Sequence, residues 1–211
     1  MIKAVIFDKD GVLLDSEGIN LTTARMSYKA AGVILDYDDE RVIVGRHPRD
    51  TVRILSKKYD FNPDIVIQKS DYYYRKYEKQ AKLMPGAYEL VSQLSQNFIL
   101  AMATSADRFL TNRFLDRFKM KDFFRVVVAF EDCSKRKPAA DIYLTALKKL
   151  KIDSNSCVVV EDSEIGVTAA KSAGIKCIAV PNQYTAGQDF SAADRVVDSF
   201  SELGVNVIAE M

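Results

Sequence analysis

Residues 4–17 read AVIFDKDGVLLDSE. Four apolar residues lead into Asp8, a second carboxylate follows at Asp10, and Gly11 then interrupts the run. A short apolar run that stops at polar residues is typical of a buried strand in an α/β sheet, and such sheets bind ligands beyond the carboxyl ends of their strands. We therefore ask whether the two aspartates form a solvated turn or the working end of a site.

The same alternation of short apolar runs and helical periodicity continues along most of the chain. The runs are rich in valine and isoleucine on consecutive positions, as expected for strands buried on both faces of a parallel sheet. They cover residues 2–7, 98–103, 125–130, 157–160, 176–180 and 195–198. Helical patterns cover residues 86–96, 106–118, 138–151 and 164–173. The pattern predicts a Rossmann-like α/β fold, a parallel sheet with helices on both faces.

The interval after the first strand breaks this rhythm. It contains no convincing buried strand, but it has amphipathic helical stretches near residues 17–31, 38–44, 49–58 and 63–81. Pro85 and Gly86 mark the return to the sheet. We predict an α/β core domain of residues 1–14 and 84–211, with an inserted all-α helical domain of residues 15–83.

Composition narrows the range of partners. The 211 residues carry a formal net charge of +1, so no global field favours nucleic acid or a membrane as a partner. The cysteines at 133, 157 and 177 form no CxxC pair, which favours free thiols and a reducing, cytoplasmic setting. The longest apolar runs fall well short of a membrane span. We expect a monomer or a weak homodimer.

Polar residues with chemical potential follow the ends of several predicted strands. If the sheet forms, they meet at one edge. They are Asp8 and Asp10 after the first run, Thr104 and Ser105 after the second, Lys137 after the third, and Glu161 and Asp162 after the fourth. Each signal is weak alone, and their coincidence at strand ends is much stronger.

This set of residues suits phosphoryl transfer. Clustered carboxylates raise one another's pKa unless a cation lies among them, and their oxygens suit a hard cation such as Mg²⁺. A hydroxyl group and the Lys137 ammonium suit phosphate oxygens. A carboxylate ionised at neutral pH could attack phosphorus to form an acyl phosphate, while the adjacent Asp10 could protonate the leaving oxygen and later activate water.

Four ordered segments resemble the motifs of the haloacid dehalogenase superfamily of aspartyl-phosphate hydrolases. They are FDKDG at 7–11, the Thr104–Ser105 pair, RKP at 136–138 and VEDSEIGVTAAKSAG at 160–174. Their order and spacing agree with that family over essentially the whole chain. The helical insert is similar to the cap of the phosphoglycolate phosphatase and β-phosphoglucomutase type.

The resemblance implies a role for each motif residue. Asp8 would be the nucleophile and Asp10 the general acid/base. Mg²⁺ would be bound by the Asp8 side chain, the Asp10 carbonyl and Asp162, with Glu161 as a supporting or water-mediated ligand. Thr104 or Ser105 would bind phosphate together with Lys137. Lys9 departs from the commoner apolar residue between the two aspartates, and we expect it to point away from the metal with little effect on the mechanism.

Within this family, the presence of Asp10 favours phosphoryl transfer over dehalogenation. A histidine of the β-phosphoglucomutase cap corresponds here to Asn20, and this difference argues against a mutase without excluding one. The sequence therefore predicts a Mg²⁺-dependent phosphatase of a small phosphorylated metabolite, such as a sugar phosphate or a phosphoglycolate-like acid. The alternatives are a phosphosugar mutase of the β-phosphoglucomutase kind and a non-catalytic binding protein on the same fold.

Substrate choice is expected to lie in the cap. The candidate residues are Glu17, Asn20, Arg46, His47, Arg49 and Lys69. Arg46 and Arg49 would either bind an anionic group of the substrate or lie in solvent. Two hinge segments, near residues 14–17 and 82–86, would let the cap close.

Overall fold

The computed structural model describes all 211 residues and divides them into two compact units. One consists of Met1–Leu14 and Leu83–Met211, and the other of Asp15–Lys82. In chain order the elements are β1 (Ala4–Phe7), β2 (Leu14–Asp15), α1 (Glu17–Ala30), α2 (Tyr37–Ile43), α3 (Pro48–Leu55), α4 (Pro63–Tyr77), β3 (Lys82–Leu83), α5 (Ala87–Leu94), β4 (Ile99–Ala103), α6 (Arg108–Arg117), β5 (Phe124–Val128), α7 (Asp141–Leu150), β6 (Cys157–Glu161), α8 (Glu164–Ser172), β7 (Lys176–Ala179), β8 (Arg195–Val196) and α9 (Val205–Glu210).

The first unit is built on a six-stranded sheet in the order β5-β4-β1-β6-β7-β8. Every pairing between these strands is parallel. The strand β1 lies between β4 and β6, so the residues that follow it lie near the middle of the carboxyl edge. The predicted parallel α/β fold is confirmed.

Alternate side chains of β1 enter different layers of the core, as the period of a strand requires. Ala4 and Ile6 pack with residues of α7 and α8, whereas Val5 and Phe7 are buried on the other face, where Phe7 contacts Phe124 edge to face. All four side chains are fully buried. This two-sided burial explains why the strand reads as a continuous apolar run rather than an alternating one.

The second unit is helical, with α1 packed along α4 and α3 against α4. Its core is made of aliphatic side chains around Tyr28, which is buried and contacts Phe61 edge to face. The helix α2 begins with a reciprocal capping box between Asp36 and Asp39. Hydrogen bonds at that turn therefore satisfy backbone donors that the helix itself leaves without partners.

Two short strands that the sequence patterns do not reveal, β2 and β3, pair where the chain passes between the units. Each has only two residues, too few for an alternation pattern to be recognised. The Met84 amide donates to the Leu13 carbonyl beside them, at 3.0 Å.

Candidate active site

The register of the sheet brings two acidic side chains to the same level. Phe7 of β1 pairs with Val160 of β6, so the next residues, Asp8 and Glu161, lie side by side at the carboxyl edge. The ammonium of Lys137 lies between them, with Nζ 2.7 Å from Asp8 Oδ1 and 2.5 Å from Glu161 Oε1. All three side chains are buried, so this is a charge cluster withdrawn from water.

Lys137 reaches the cluster from a loop, which corrects the predicted start of its helix. The pattern predicts a helix over 138–151, but α7 begins at Asp141. The Ala139 amide donates to the Arg136 carbonyl at 3.0 Å, which closes a separate turn before the helix. The Lys137–Pro138 peptide bond in this turn is cis. The loop, rather than a helix terminus, therefore presents the ammonium to the carboxylates.

Asp8 and Glu161 both contact the Lys137 ammonium, but their pKa values shift in opposite directions. Burial raises the pKa of Asp8 to about 7, against the opposing effect of Lys137, and the charges of Glu161 and Asp10 add to the rise. Burial also opposes ionisation of Glu161, but the ammonium of Lys137 and several hydrogen bonds hold its pKa below the usual value. Burial opposes the charge of Lys137, but Asp8 and Glu161 raise its pKa above the usual value, so the ammonium stays charged. The ionised form is therefore stabilised at Glu161 and destabilised at Asp8.

Glu161 is enclosed by hydrogen-bond donors. Its Oε1 accepts from the Tyr143 hydroxyl at 2.7 Å as well as from Lys137, and its Oε2 accepts from the amides of Asp162 and Ser163 and from the Ser163 hydroxyl. A Cβ placed on Gly166 would lie 1.9 Å from Oε1, so the first turn of α8 approaches the carboxylate as closely as glycine allows. Glu161 therefore anchors Lys137.

Asp162 is held by a residue that sequence reasoning missed. The Asn182 side-chain amide donates to Asp162 Oδ2 at 2.8 Å and lies 3.4 Å from the Gly11 carbonyl. The Asn182 carbonyl oxygen accepts from the backbone amides of Tyr184 and Thr185, which fixes the orientation of its amide. Gly11 has a φ of 77°, and a Cβ there would lie 2.0 Å from Asp162 Oδ2. The turn after β1 therefore needs glycine for both conformation and space.

Asp10 lies beside this cluster with its own partners. Lys9 Nζ is 2.6 Å from Asp10 Oδ1, and the Thr104 hydroxyl is 3.5 Å from Oδ2. Thr104 is buried and accepts the Ala106 amide at 3.1 Å. The neighbouring candidate Ser105 is half-buried. We expected Lys9 to have little effect on the mechanism, yet its ammonium bonds the carboxylate predicted to transfer protons.

Three carboxylates form a group with the spacing of a cation site. Asp8, Glu161 and Asp162 each offer an oxygen, and these atoms lie within 4.8 Å of one another. A hard divalent cation prefers such oxygen ligands. Burial disfavours the ionised form of Asp8, as its raised pKa indicates, and a bound cation would compensate the negative charge of that form. The residues present therefore fit a divalent metal ion. Asp10 is not part of this group.

The candidates in the helical unit divide into two places. Glu17 is buried, and its carboxylate accepts from the Asn20 side chain at 3.0 Å and from the Gly45 amide at 3.2 Å. His47 caps α3, since its Nδ1 accepts the Arg49 amide at 3.2 Å. These contacts give Glu17 and His47 structural work within the unit, whatever else they bind.

The remaining candidates make local contacts. The Arg46 guanidinium donates to the Val42 carbonyl at 2.9 Å, and the Arg49 side chain is exposed. Lys69 lies on the exposed side of α4 with its ammonium 5.8 Å from the centre of the Tyr72 ring. Within the helical unit, Lys69 is not grouped with Glu17 and Asn20 by any of these contacts.

None of the helices is both long and apolar enough to span a membrane.

Comparison with known proteins defines the class to which this fold and site belong. The family model described as haloacid dehalogenase-like hydrolase matches residues 5–180. The chain belongs to this family, and it is a phosphatase within it.

Particular relatives agree with this assignment. Protein CbbY of Cereibacter sphaeroides is 32% identical over 220 residues, which cover 97% of this chain and 95% of that protein. The phosphorylated carbohydrates phosphatase of Thermotoga maritima is 31% identical over 215 residues, which cover 100% of both chains. A crystal structure of a CbbY variant from Rhodobacter sphaeroides, in complex with xylulose-(1,5)bisphosphate, superposes with a TM-score of 0.85 at 27% identity and covers 99% of each chain.

Proposed function

We propose that this protein is a Mg²⁺-dependent phosphatase that hydrolyses a small phosphorylated sugar or a phosphoglycolate-like acid through an aspartyl-phosphate intermediate on Asp8. The observation that carries the proposal is the buried Lys137 ammonium between Asp8 and Glu161, with Asp162 beside them. The names of the relatives from Thermotoga maritima and Rhodobacter sphaeroides support a phosphorylated sugar as the substrate class.

In the first step, an oxygen of ionised Asp8 attacks phosphorus and the bond from phosphorus to the leaving oxygen breaks. Asp10 gives its proton to that oxygen, which leaves as an alcohol. Lys137 would bind an oxygen of the transferred phosphoryl group, and its contact with Asp8 supports this role. Thr104 or Ser105 would supply a hydroxyl to another phosphoryl oxygen.

In the second step, Asp10 takes a proton from water, whose oxygen attacks phosphorus. The bond from phosphorus to Asp8 breaks, and phosphate is released with both aspartates restored. Asp8, the Asp10 carbonyl and Asp162 would hold Mg²⁺, with Glu161 in support. When bound, the metal ion would offset the repulsion between an anionic nucleophile and an anionic phosphoryl group.

The helical unit is proposed to act as a cap that selects the substrate. The contacts of the buried Glu17 with Asn20 and Gly45 provide polar groups of fixed orientation, and Arg46 and Arg49 provide cations. Replacing Arg49 with glutamine would then change the ranking of substrates by KM, with little change in kcat for a small phosphate ester.

The test is a screen of phosphorylated metabolites with Mg²⁺, using three forms of the chain. The wild type should release phosphate from at least one sugar phosphate or small acid. Asp8→Asn should abolish release, and Asp122→Asn should not, because Asp122 is an exposed carboxylate of the same unit.

Other outcomes of this screen would replace the proposal. Isomerisation of β-glucose 1-phosphate that depends on a bisphosphate activator would establish a mutase. A chain that binds Mg²⁺ but turns over no substrate would be a binding protein on the same fold.

A further inference from the structure

Lys9 has an unusual position for a charged side chain. It lies between Asp8 and Asp10 in sequence, it is only 1% exposed, and it is among the largest fully buried side chains of the chain. Its ammonium is 2.6 Å from Asp10 Oδ1 and 5.9 Å from the centre of the Phe114 ring on α6. The ammonium is thus enclosed between a carboxylate and an aromatic face.

This burial is costly for the fold. Removing an ammonium from water costs free energy that one ion pair often fails to recover, and apolar side chains of similar size are commonly at least as stable in such places. Methionine would fill the same space against Phe114 without a charge. The presence of lysine at this position therefore calls for a contribution other than stability.

Asp10 is the group that gains from Lys9. Its side chain is 25% exposed, so packing alone does not fix its rotamer. A contact from the Thr104 hydroxyl to Oδ2 of the same carboxylate is long, at 3.5 Å. The contact from Lys9 to Oδ1 is short and charge-assisted, so it orients the carboxylate more strongly than the contact from Thr104 does.

We propose that Lys9 is a positioning residue for the reaction, whose buried ammonium holds the Asp10 carboxylate in the orientation needed for proton transfer. The inference rests on the proposed role of Asp10 as the general acid/base. Lys9 touches neither the substrate nor the metal in this account. It acts through Asp10 only, so its effect should appear in the steps that move a proton.

The test compares the wild type with Lys9→Met in rapid-quench kinetics on two substrates. One is an alkyl phosphate that the wild type hydrolyses, whose leaving oxygen needs a proton, and the other is p-nitrophenyl phosphate, whose leaving group does not. We expect the first-turnover rate on the alkyl phosphate to fall about 10- to 100-fold, in the range of a displaced general acid, with KM little changed. The first-turnover rate on p-nitrophenyl phosphate should be retained.

Thermal unfolding and a crystal structure separate this role from a structural one. Lys9→Met should unfold at the same temperature as the wild type or higher, and its Asp10 carboxylate should leave the place it has in the wild type. If methionine does not fold, Lys9→Leu provides a second apolar variant.

The inference is overturned by unchanged first-turnover rates on both substrates, by equal losses on both together with a lower unfolding temperature, or by an Asp10 carboxylate that stays in place. Failure of the proposed function looks different, since the wild type would then release no phosphate from any substrate in the screen.

Discussion

At the scale of single residues, the charges of the site are held by hydrogen bonds from other groups of the protein. Glu161 is enclosed by five donors, and Asp162 is held by Asn182. Asp8 is different, because burial raises its pKa while Lys137 supplies only part of the compensation. Asp8, the proposed nucleophile, is therefore the carboxylate whose charge a bound cation would stabilise most.

Asn182 provides a test of this arrangement. Replacing it with alanine removes the donor at Asp162 Oδ2 and so weakens the constraint on the orientation of that carboxylate. Partners of this kind typically contribute about 10- to 100-fold to metal affinity, so we expect Asn182→Ala to weaken Mg²⁺ binding by that factor. Isothermal titration with Mg²⁺ measures it directly.

The matched control is Asn97→Ala, an exposed asparagine that precedes β4 at the amino end of that strand and whose side chain makes one long contact at 3.4 Å. It should bind Mg²⁺ as the wild type does. Equal affinities in all three proteins would show that Asn182 does not support a metal ligand.

At the scale of elements, the first turn of α8 fixes the height of Glu161 at the sheet edge. Because a Cβ on Gly166 would lie 1.9 Å from Glu161 Oε1, Gly166→Ala has to displace a carboxylate that five hydrogen bonds hold in place. We expect a loss of about 1–3 kcal/mol in the free energy of unfolding. We also expect a large loss of kcat, because the Lys137 ammonium is bound to Glu161 and would be displaced with it. Urea unfolding and the phosphatase assay measure the two effects.

Gly187→Ala is the control for this change, because a Cβ at that position would meet nothing within 4 Å. It should leave both stability and kcat close to those of the wild type. A Gly166→Ala protein as stable and active as this control would mean that the helix and Glu161 are not tightly coupled.

The helix α2 gives a pH-dependent prediction in the other unit. Burial opposes ionisation of Asp39, but the Asp36 amide, the Tyr59 hydroxyl and the Lys58 ammonium together lower its pKa from the usual 3.8. A lowered pKa contributes stability that is fully present above 3.8 and is lost as the pH falls through the lower value of the folded state. Asp39→Asn should therefore cost about 1–3 kcal/mol at pH 7, and the difference from the wild type should narrow towards about pH 3.

Urea unfolding at the two pH values checks this, with Asp38→Asn as the control. Asp38 lies in the same helical turn but is exposed, so its replacement should cost little at either pH. A cost of Asp39→Asn that stayed constant between the two pH values would rule out the ionised carboxylate as its cause.

At the scale of the whole molecule, the sheet itself could be predicted and so could the residues at its strand ends. Asp8, Thr104 and Asp162 follow buried apolar runs, and parallel pairing brings such positions to one edge. The contacts of Lys9, Tyr143 and Asn182 could not be predicted, because no periodicity specifies where a loop or a long side chain turns. Asn182 lies just beyond β7, so the rule of strand ends could have suggested it.

For a related reason, the sequence pattern does not predict the two-residue strands or the true start of α7. Both depend on hydrogen bonds between particular backbone groups rather than on the pattern of apolar side chains. Pro138 is compatible with a first helical turn, yet the turn closed by Arg136 and Ala139 delays the helix to Asp141.

Binding of Mg²⁺ should stabilise the folded chain in a pH-dependent manner. Without metal, the raised pKa of Asp8 contributes stability that is present below 3.8 and lost as the pH rises through about 7. Bound Mg²⁺ requires the ionised carboxylate, so protons compete with it below that value. The rise in unfolding temperature on addition of Mg²⁺ should be larger at pH 8 than at pH 6, as measured by scanning calorimetry, and Asp162→Asn should diminish it at both. Equal shifts at both pH values in the wild type would contradict the link to Asp8.

If Asp8 carries the phosphoryl group, a phosphorylated form of the protein can be trapped during turnover. The wild type is mixed with Mg²⁺ and a substrate from the screen, quenched in acid within the first turnover, digested and analysed by mass spectrometry. We expect one added phosphoryl group on the peptide that contains Asp8, at the Asp8 side chain, and none in Asp8→Asn. Release of phosphate by Asp8→Asn at the wild-type rate, or a phosphoryl group found only on another residue, would contradict it.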